Sequence, residues 1–204
     1  MEKTAFTRAC REGGSAIEHA LVEIDRSFFA TLFRDCVRTV RDAEAARDLV
    51  QETFIKVWQR CAQFRGSSEL LPWIKSILRR ATLDWLRRNR PAEPLEDNGE
   101  ASAEVERRIN ELSMNEPATP EADSTRRELA ECFQRCWLRF EAAHPAHAAV
   151  MTWIVHDGLN NEEVAQLLER TPGATREFVS QCRKRARAHF AEWYELAFGV
   201  GVQS

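Results

Sequence analysis

Apolar residues return at steps of three and four along most of this chain, the spacing that lines one face of an α-helix. Ile17, Leu21, Ile24, Phe28, Leu32 and Cys36 form one such stripe between Ser15 and Thr39, with Ser15 and Glu18 spaced as a capping box. Asp42 is placed to cap the next helix. Its apolar face takes Val50, Phe54, Val57, Trp58, Cys61 and Phe64. A polar loop follows, Arg65, Gly66, Ser67, Ser68 and Glu69, and Pro72 fits only the first turn of what comes after. There Ile74, Ile77, Leu78, Ala81 and Trp85 share a face. Three helices can thus close around one core, and residues 5–90 read as a first domain.

From residue 91 to 123 the pattern fades. Pro91 to Pro120 holds four prolines, many acids and few large apolar groups, too little to bury against the cost of ordering. A flexible acidic linker is expected, with Glu104 to Leu112 as its one short helical stretch. Residues 124–198 resume the helical period. Thr125 and Glu128 offer a cap, and Leu129, Cys132, Phe133, Cys136, Trp137 and Phe140 form a stripe. Pro145 opens a helix through Val150, Trp153 and Ile154 that ends near Gly158. Asn160 to Glu169 is a short helix capped by Asn160 and Glu163, Arg170 to Ala174 supplies a turn, and a long helix runs from Thr175. Helix, tight turn and basic helix make a helix-turn-helix. Val179, Cys182, Ala186 and Phe190 face inward, leaving Arg176, Ser180, Arg183, Lys184 and Arg187 outward.

No β-branched run alternates with polar residues, so the fold expected is all-α: two small helical domains joined by a linker. No segment approaches the roughly 20 apolar residues of a membrane span, and the first residues hold no signal-peptide core. A cytoplasmic protein with no membrane contact follows. In that reducing setting the six cysteines, at 10, 36, 61, 132, 136 and 182, are expected as buried thiols.

Charge sharpens the picture. The formal net charge is −3, yet residues 92–123 hold eight Glu and two Asp against Arg107 and Arg108, so the remainder carries about +5. The helix after Pro72 carries Arg79, Arg80, Arg87, Arg88 and Arg90 against Asp84 alone, a composition suited to a polyanion. Cys132, Cys136, His144 and His147 lack the spacing of a usual zinc set, and both cysteines fall on an apolar stripe. No nucleophile with a base, Gly-rich phosphate loop or acid pair stands out, so neither cofactor, metal nor enzyme is expected.

DLVQETFIKVW, then F-R-G, then LLPWIKSILRRATLDWLRRNR resembles region 2 of the sigma-70 superfamily, in the compact form of the extracytoplasmic-function (ECF, group IV) sigma factors. ATREFVSQCR is similar to the T-V-K-S-R-L-x-R-A-R of sigma region 4, with Phe178 at a commonly basic position. The resemblance implies a bacterial transcription-initiation subunit whose partners are core RNA polymerase and promoter DNA. Asp48, Gln51 and Glu52 would dock on the polymerase, carboxylates and an amide meeting basic groups. Arg65, Ser67, Ser68, Trp73 and Lys75 would serve −10 recognition, where a base leaves the stack for a protein pocket, while Arg79, Arg80, Arg87 and Arg88 track the backbone. Arg176, Ser180, Arg183, Lys184 and Arg187 would read the −35 duplex. Trp58 and Trp85 are expected in the core; Trp73 is open to either role. Arg47 stands where the family often has an acid, and Thr53 lies beside Glu52, so the resemblance raises phosphorylation of Thr53 by a Ser/Thr kinase beside control by an anti-sigma factor. Two other readings stay open: a self-sufficient helix-turn-helix regulator, which would bind duplex DNA alone, and a helical adaptor protein, which would need neither DNA nor polymerase.

Overall fold

A computed structural model describes residues 2–64, 66, 68–89 and 120–198. Among these residues the regular structure is helical throughout. The linker from 91 to 119, with its expected Glu104–Leu112 helix, lies outside them, as do Arg65, Ser67 and Arg90.

The chain divides into two compact units. The first contains α1 (Lys3–Glu12), α2 (Gly14–Val40), α3 (Ala43–Gln59), a 3-10 turn (Cys61–Gln63) and α4 (Leu70–Asn89). Helices α2, α3 and α4 pack on one another around Ile24, Leu32, Val40, Val50, Val57, Ile74 and Leu78. Each such side chain contributes roughly 1.5–3 kcal/mol by leaving water. Asp42 caps α3 as its sequence position suggests, Oδ1 accepting from the amides of Glu44 at 2.9 Å and Ala45 at 3.0 Å.

Three expectations change here. The polar start of the chain forms a helix, α1, which buries Phe6 and Ala9 against α2 and the 3-10 turn. Its apolar positions are too few to announce it in the sequence. The Ser15–Glu18 box does not cap α2, because the helix already begins at Gly14, after Gly13 at φ +68°. Lastly, Cys10 and Cys61 are joined in a disulfide, while Cys36, Cys132, Cys136 and Cys182 are free and buried as expected.

The second unit contains α5 (Pro120–Ala143), α6 (Pro145–Val155), α7 (Asn161–Leu168), α8 (Pro172–His189) and α9 (Ala191–Phe198). Helix α5 begins five residues ahead of the expected Thr125 cap, with Pro120 as its first residue. Cys132, Cys136, Phe140, Ala148 and Phe190 are buried together under Trp137, Trp193 and Tyr194. Pro145 opens α6 as expected, and Gly158 at φ +70° turns the chain toward α7.

Candidate nucleic-acid and polymerase interfaces

Helix α3 has two sides of opposite character. Ala46, Leu49, Val50, Thr53 and Val57 are buried. Asp48, Gln51 and Glu52 lie exposed on the other side, as the sequence reading had them, with Arg47 exposed beside them. Glu52 pairs with Lys56 one turn on, at 2.7 Å, so one carboxylate of that exposed side is already partly neutralised. Ile55 is 54% exposed and Trp58 55%, which corrects the expectation of Trp58 in the core: it is one residue past Val57 and rotates out of the apolar face. The exposed stripe is therefore mixed, acidic and amide at its start and apolar at its end. Sequence reading missed the apolar half because Trp58 was counted with the inward residues.

Thr53 is fully buried, and its hydroxyl donates to the Leu49 carbonyl at 2.7 Å. A kinase cannot reach that oxygen in this fold, and a phosphate there would have no room. The sequence placed Thr53 next to Glu52 but not on the other side of the helix.

The loop leading to α4 is backed by an aromatic cluster. Phe64 is buried, and its ring lies 4.9 Å from that of Trp73 and 5.5 Å from that of Phe6. Phe6 also meets Trp73, at 6.1 Å. Trp73 is half-buried and so serves both packing and surface. Ser68 and Glu69 are exposed, and Glu69 takes a 2.7 Å ion pair from Lys3 of α1. Gly66, at φ +72°, is the loop position that favours a residue without Cβ.

Along α4, Lys75, Arg79 and Arg80 are half-buried and Arg87 and Arg88 are exposed. Lys75 pairs with Asp35 at 2.7 Å, which fixes its ammonium against α2. Asp84 lies 3.7 Å from Arg87, and the Arg88 guanidinium donates to the Asp84 carbonyl at 3.2 Å. The C-terminal turns of α4 thus keep a cationic surface, while its N-terminal lysine is spoken for. Trp85 is half-buried against the core, in line with its expected packing role.

In the second unit α7 is capped reciprocally. Asn160 Oδ1 accepts from the amides of Glu162 and Glu163 at 2.9 and 3.0 Å, and Glu163 Oε2 accepts from the Asn160 amide at 2.9 Å. Helix α8 starts three residues before the expected Thr175, because Pro172 suits the first position and Thr171 Oγ1 accepts from the Ala174 amide at 3.3 Å. Glu169, at φ +52°, makes the tight turn between them.

Arg176, Ser180, Arg183 and Lys184 are exposed on α8 as expected, and Arg187 is half-buried further along. Glu177 and Gln181 share that surface, joined by a 3.2 Å hydrogen bond, and charge sign alone does not single them out in the sequence. Phe178 is buried, stacked on His147 at 5.2 Å, and the Arg170 guanidinium sits 4.8 Å over its ring.

Cys132 and Cys136 come together with Glu192, their ligand atoms within 4.8 Å of one another; the His144 and His147 rings instead meet edge to face at 5.8 Å. Arg135 donates to one Glu192 oxygen at 2.9 Å and Arg139 closes on the other. These guanidiniums hold the Glu192 carboxyl down at about 2. Beside this clasp Leu129, Phe133, Trp137 and Trp193 line an open apolar groove of about 550 Å³.

The first unit thus presents a mixed acidic and apolar stripe and a cationic helix, and the second a helix-turn-helix. The family model described as Sigma-70 region 2 matches residues 26–92. The probable RNA polymerase sigma factor RfaY of Xanthomonas campestris pv. campestris is 29% identical over 156 residues, which cover 76% of this chain and 36% of that protein. RNA polymerase sigma factor YlaC of Bacillus subtilis is 24% identical over 155 residues, 73% of this chain and 79% of the relative. RNA polymerase sigma factor CarQ of Myxococcus xanthus is 26% identical over 143 residues, 68% and 71%. The chain thus spans just over a third of the first relative and more than two thirds of the other two. Residues 26–92 thus match the Sigma-70 region 2 family, and over most of its length the chain is similar to proteins named RNA polymerase sigma factors.

Proposed function

We propose that this chain is an alternative sigma factor that binds core RNA polymerase and directs promoter recognition and strand opening at transcription initiation. The observation that carries the reading is the two-sided α3: a buried side that holds the unit together and an exposed stripe, Asp48, Gln51, Glu52, Ile55 and Trp58, whose apolar end stays uncovered among the described residues. An exposed Trp beside charged groups is the composition of an interface anchor. Ser68, Trp73 and the cations of α4 would take the −10 element, with the aromatic edge for an unstacked base and the arginines for phosphates. Arg176, Ser180, Arg183 and Lys184 would enter the −35 major groove at the N-terminal half of α8, with Arg187 on the backbone behind them.

The three relatives are named RNA polymerase sigma factors, which supports polymerase and promoter DNA as partners here. As for control, the burial of Thr53 argues against a kinase acting there; an anti-sigma protein that covers the α3 stripe suits the geometry better.

Mixing the full chain with core polymerase and a library of promoter fragments tests the reading. Transcripts that start at defined sites only when the chain is present are expected, and Ile55→Glu should abolish them while leaving the fold intact. Tight duplex binding by the chain alone, unchanged by polymerase, would instead favour a self-sufficient regulator, and neither behaviour an adaptor.

A further inference from the structure

The six cysteines divide sharply by surroundings. Cys36 and Cys182 are buried thiols that burial pushes up to about 11 and about 12, which leaves almost no reactive thiolate at neutral pH. Cys132 and Cys136 are completely buried. Cys10 is half-exposed on α1, and Cys61 opens the 3-10 turn that leads to Phe64. These two, far apart in sequence, have Cα atoms 5.5 Å apart, the separation a disulfide requires.

The bridge sits at a consequential place. Helix α1 lies against the candidate base-capture region: Phe6 contacts both Phe64 and Trp73, and Lys3 pairs with Glu69. Among the described residues, two buried side chains, Phe6 and Ala9, and that exposed ion pair also hold α1. An exposed pair contributes little, and a helix this short is marginal without tertiary contacts. The covalent link is thus the strongest restraint on α1.

We propose that Cys10 and Cys61 form a reversible thiol–disulfide site that, when oxidised, fixes α1 over Phe64, Glu69 and Trp73 and, when reduced, lets it move away. The functional half of this rests on the sigma reading above. Hydrogen peroxide is the oxidant for which the step balances. The more exposed Cys10 thiolate attacks one peroxide oxygen, breaking the O–O bond, and becomes a sulfenic acid as water leaves. The Cys61 thiolate then attacks that sulfur, the S–O bond breaks, and a second water departs. Two thiols supply two electrons and two protons, and the peroxide becomes two waters. A small dithiol reverses the reaction by exchange, itself ending as a disulfide. In the oxidised form Phe6 occupies the aromatic faces an unstacked base would need, so oxidation should weaken promoter opening.

The test uses the full chain, reduced with dithiothreitol or oxidised with hydrogen peroxide. Peptide mapping after alkylation should find Cys10 linked to Cys61 only in the oxidised sample. Hydrogen exchange of the α1 amides should be about tenfold slower in that sample. Cys10→Ser and Cys61→Ser should each exchange like the reduced chain whether or not peroxide is added. With core polymerase, reduced chain should open several-fold more promoter than oxidised chain. Failure to form the linked peptide, or equal α1 exchange in both samples, would overturn the site; equal opening would overturn its control of the promoter. Opening by neither sample, with the exchange difference intact, would count against the sigma reading and leave the switch standing.

Discussion

Val57 and Trp58 are adjacent, yet one is fully buried and the other largely in water. Val57→Ala should therefore cost about 2 kcal/mol in urea unfolding, through lost burial and a residual cavity. Trp58→Ala should stay within about 1 kcal/mol of the parent and show its effect only in polymerase binding. Thr53 gives a sharper contrast. Thr53→Glu would bury a carboxylate among α3 core residues and should destabilise by at least about 3 kcal/mol, so a substitution chosen to imitate phosphate should read as unfolding. Thr53→Val should keep the fold. At Glu192 the effect depends on pH. Its carboxyl is held well below its ordinary value by Arg135 and Arg139, so the stabilisation is present above about pH 4.5 and is lost as pH falls toward about 2. The urea midpoints of the parent and Glu192→Gln should differ at neutral pH and converge in acid, and parallel curves down to pH 2 would contradict the clasp.

Helix ends were the most legible elements. Asp42 and the Asn160–Glu163 pair cap α3 and α7 as their spacing predicts, since a cap needs only a few neighbouring residues. Asp42→Ala should cost about 1 kcal/mol and lower the thermal midpoint by a few degrees. The Ser15–Glu18 and Thr125–Glu128 boxes misled because each helix starts upstream of its box, where Gly13 and Pro120 set the boundary. Helix α1 was missed for a different reason: Phe6 and Ala9 alone cannot make a stripe, and only contact with α2 explains their burial. On α8 the outward cations were legible from period alone, whereas Phe178 could not be placed until His147 and Arg170 were seen around it. Arg183→Ala should weaken DNA binding by the polymerase-bound chain on all sequences and reduce the slope of log affinity against log salt by about one. Glu177→Ala, on the same face, should instead change which −35 bases are preferred.

For the molecule as a whole, the sequence disclosed two helical units, their charge and their family resemblance, because periodicity and motif are local. The Cys10–Cys61 bridge and the Phe6–Phe64–Trp73 cluster were hidden, because residues distant in the chain meet only in the folded unit. The charge is unevenly spread: residues 1–91 carry a formal net of +5, residues 92–123 carry −8 and residues 124–204 are balanced, so a formal net charge of −3 hides a cationic first unit. If the proposed function holds, this chain opens promoter DNA only together with a larger enzyme. Fluorescence of 2-aminopurine placed at the −10 position of a promoter duplex measures that opening directly. It should rise several-fold only when chain, core polymerase and duplex are all present, and Ile55→Glu should suppress the rise. A signal from chain and duplex alone, or none with polymerase added to the reduced chain, would contradict the account.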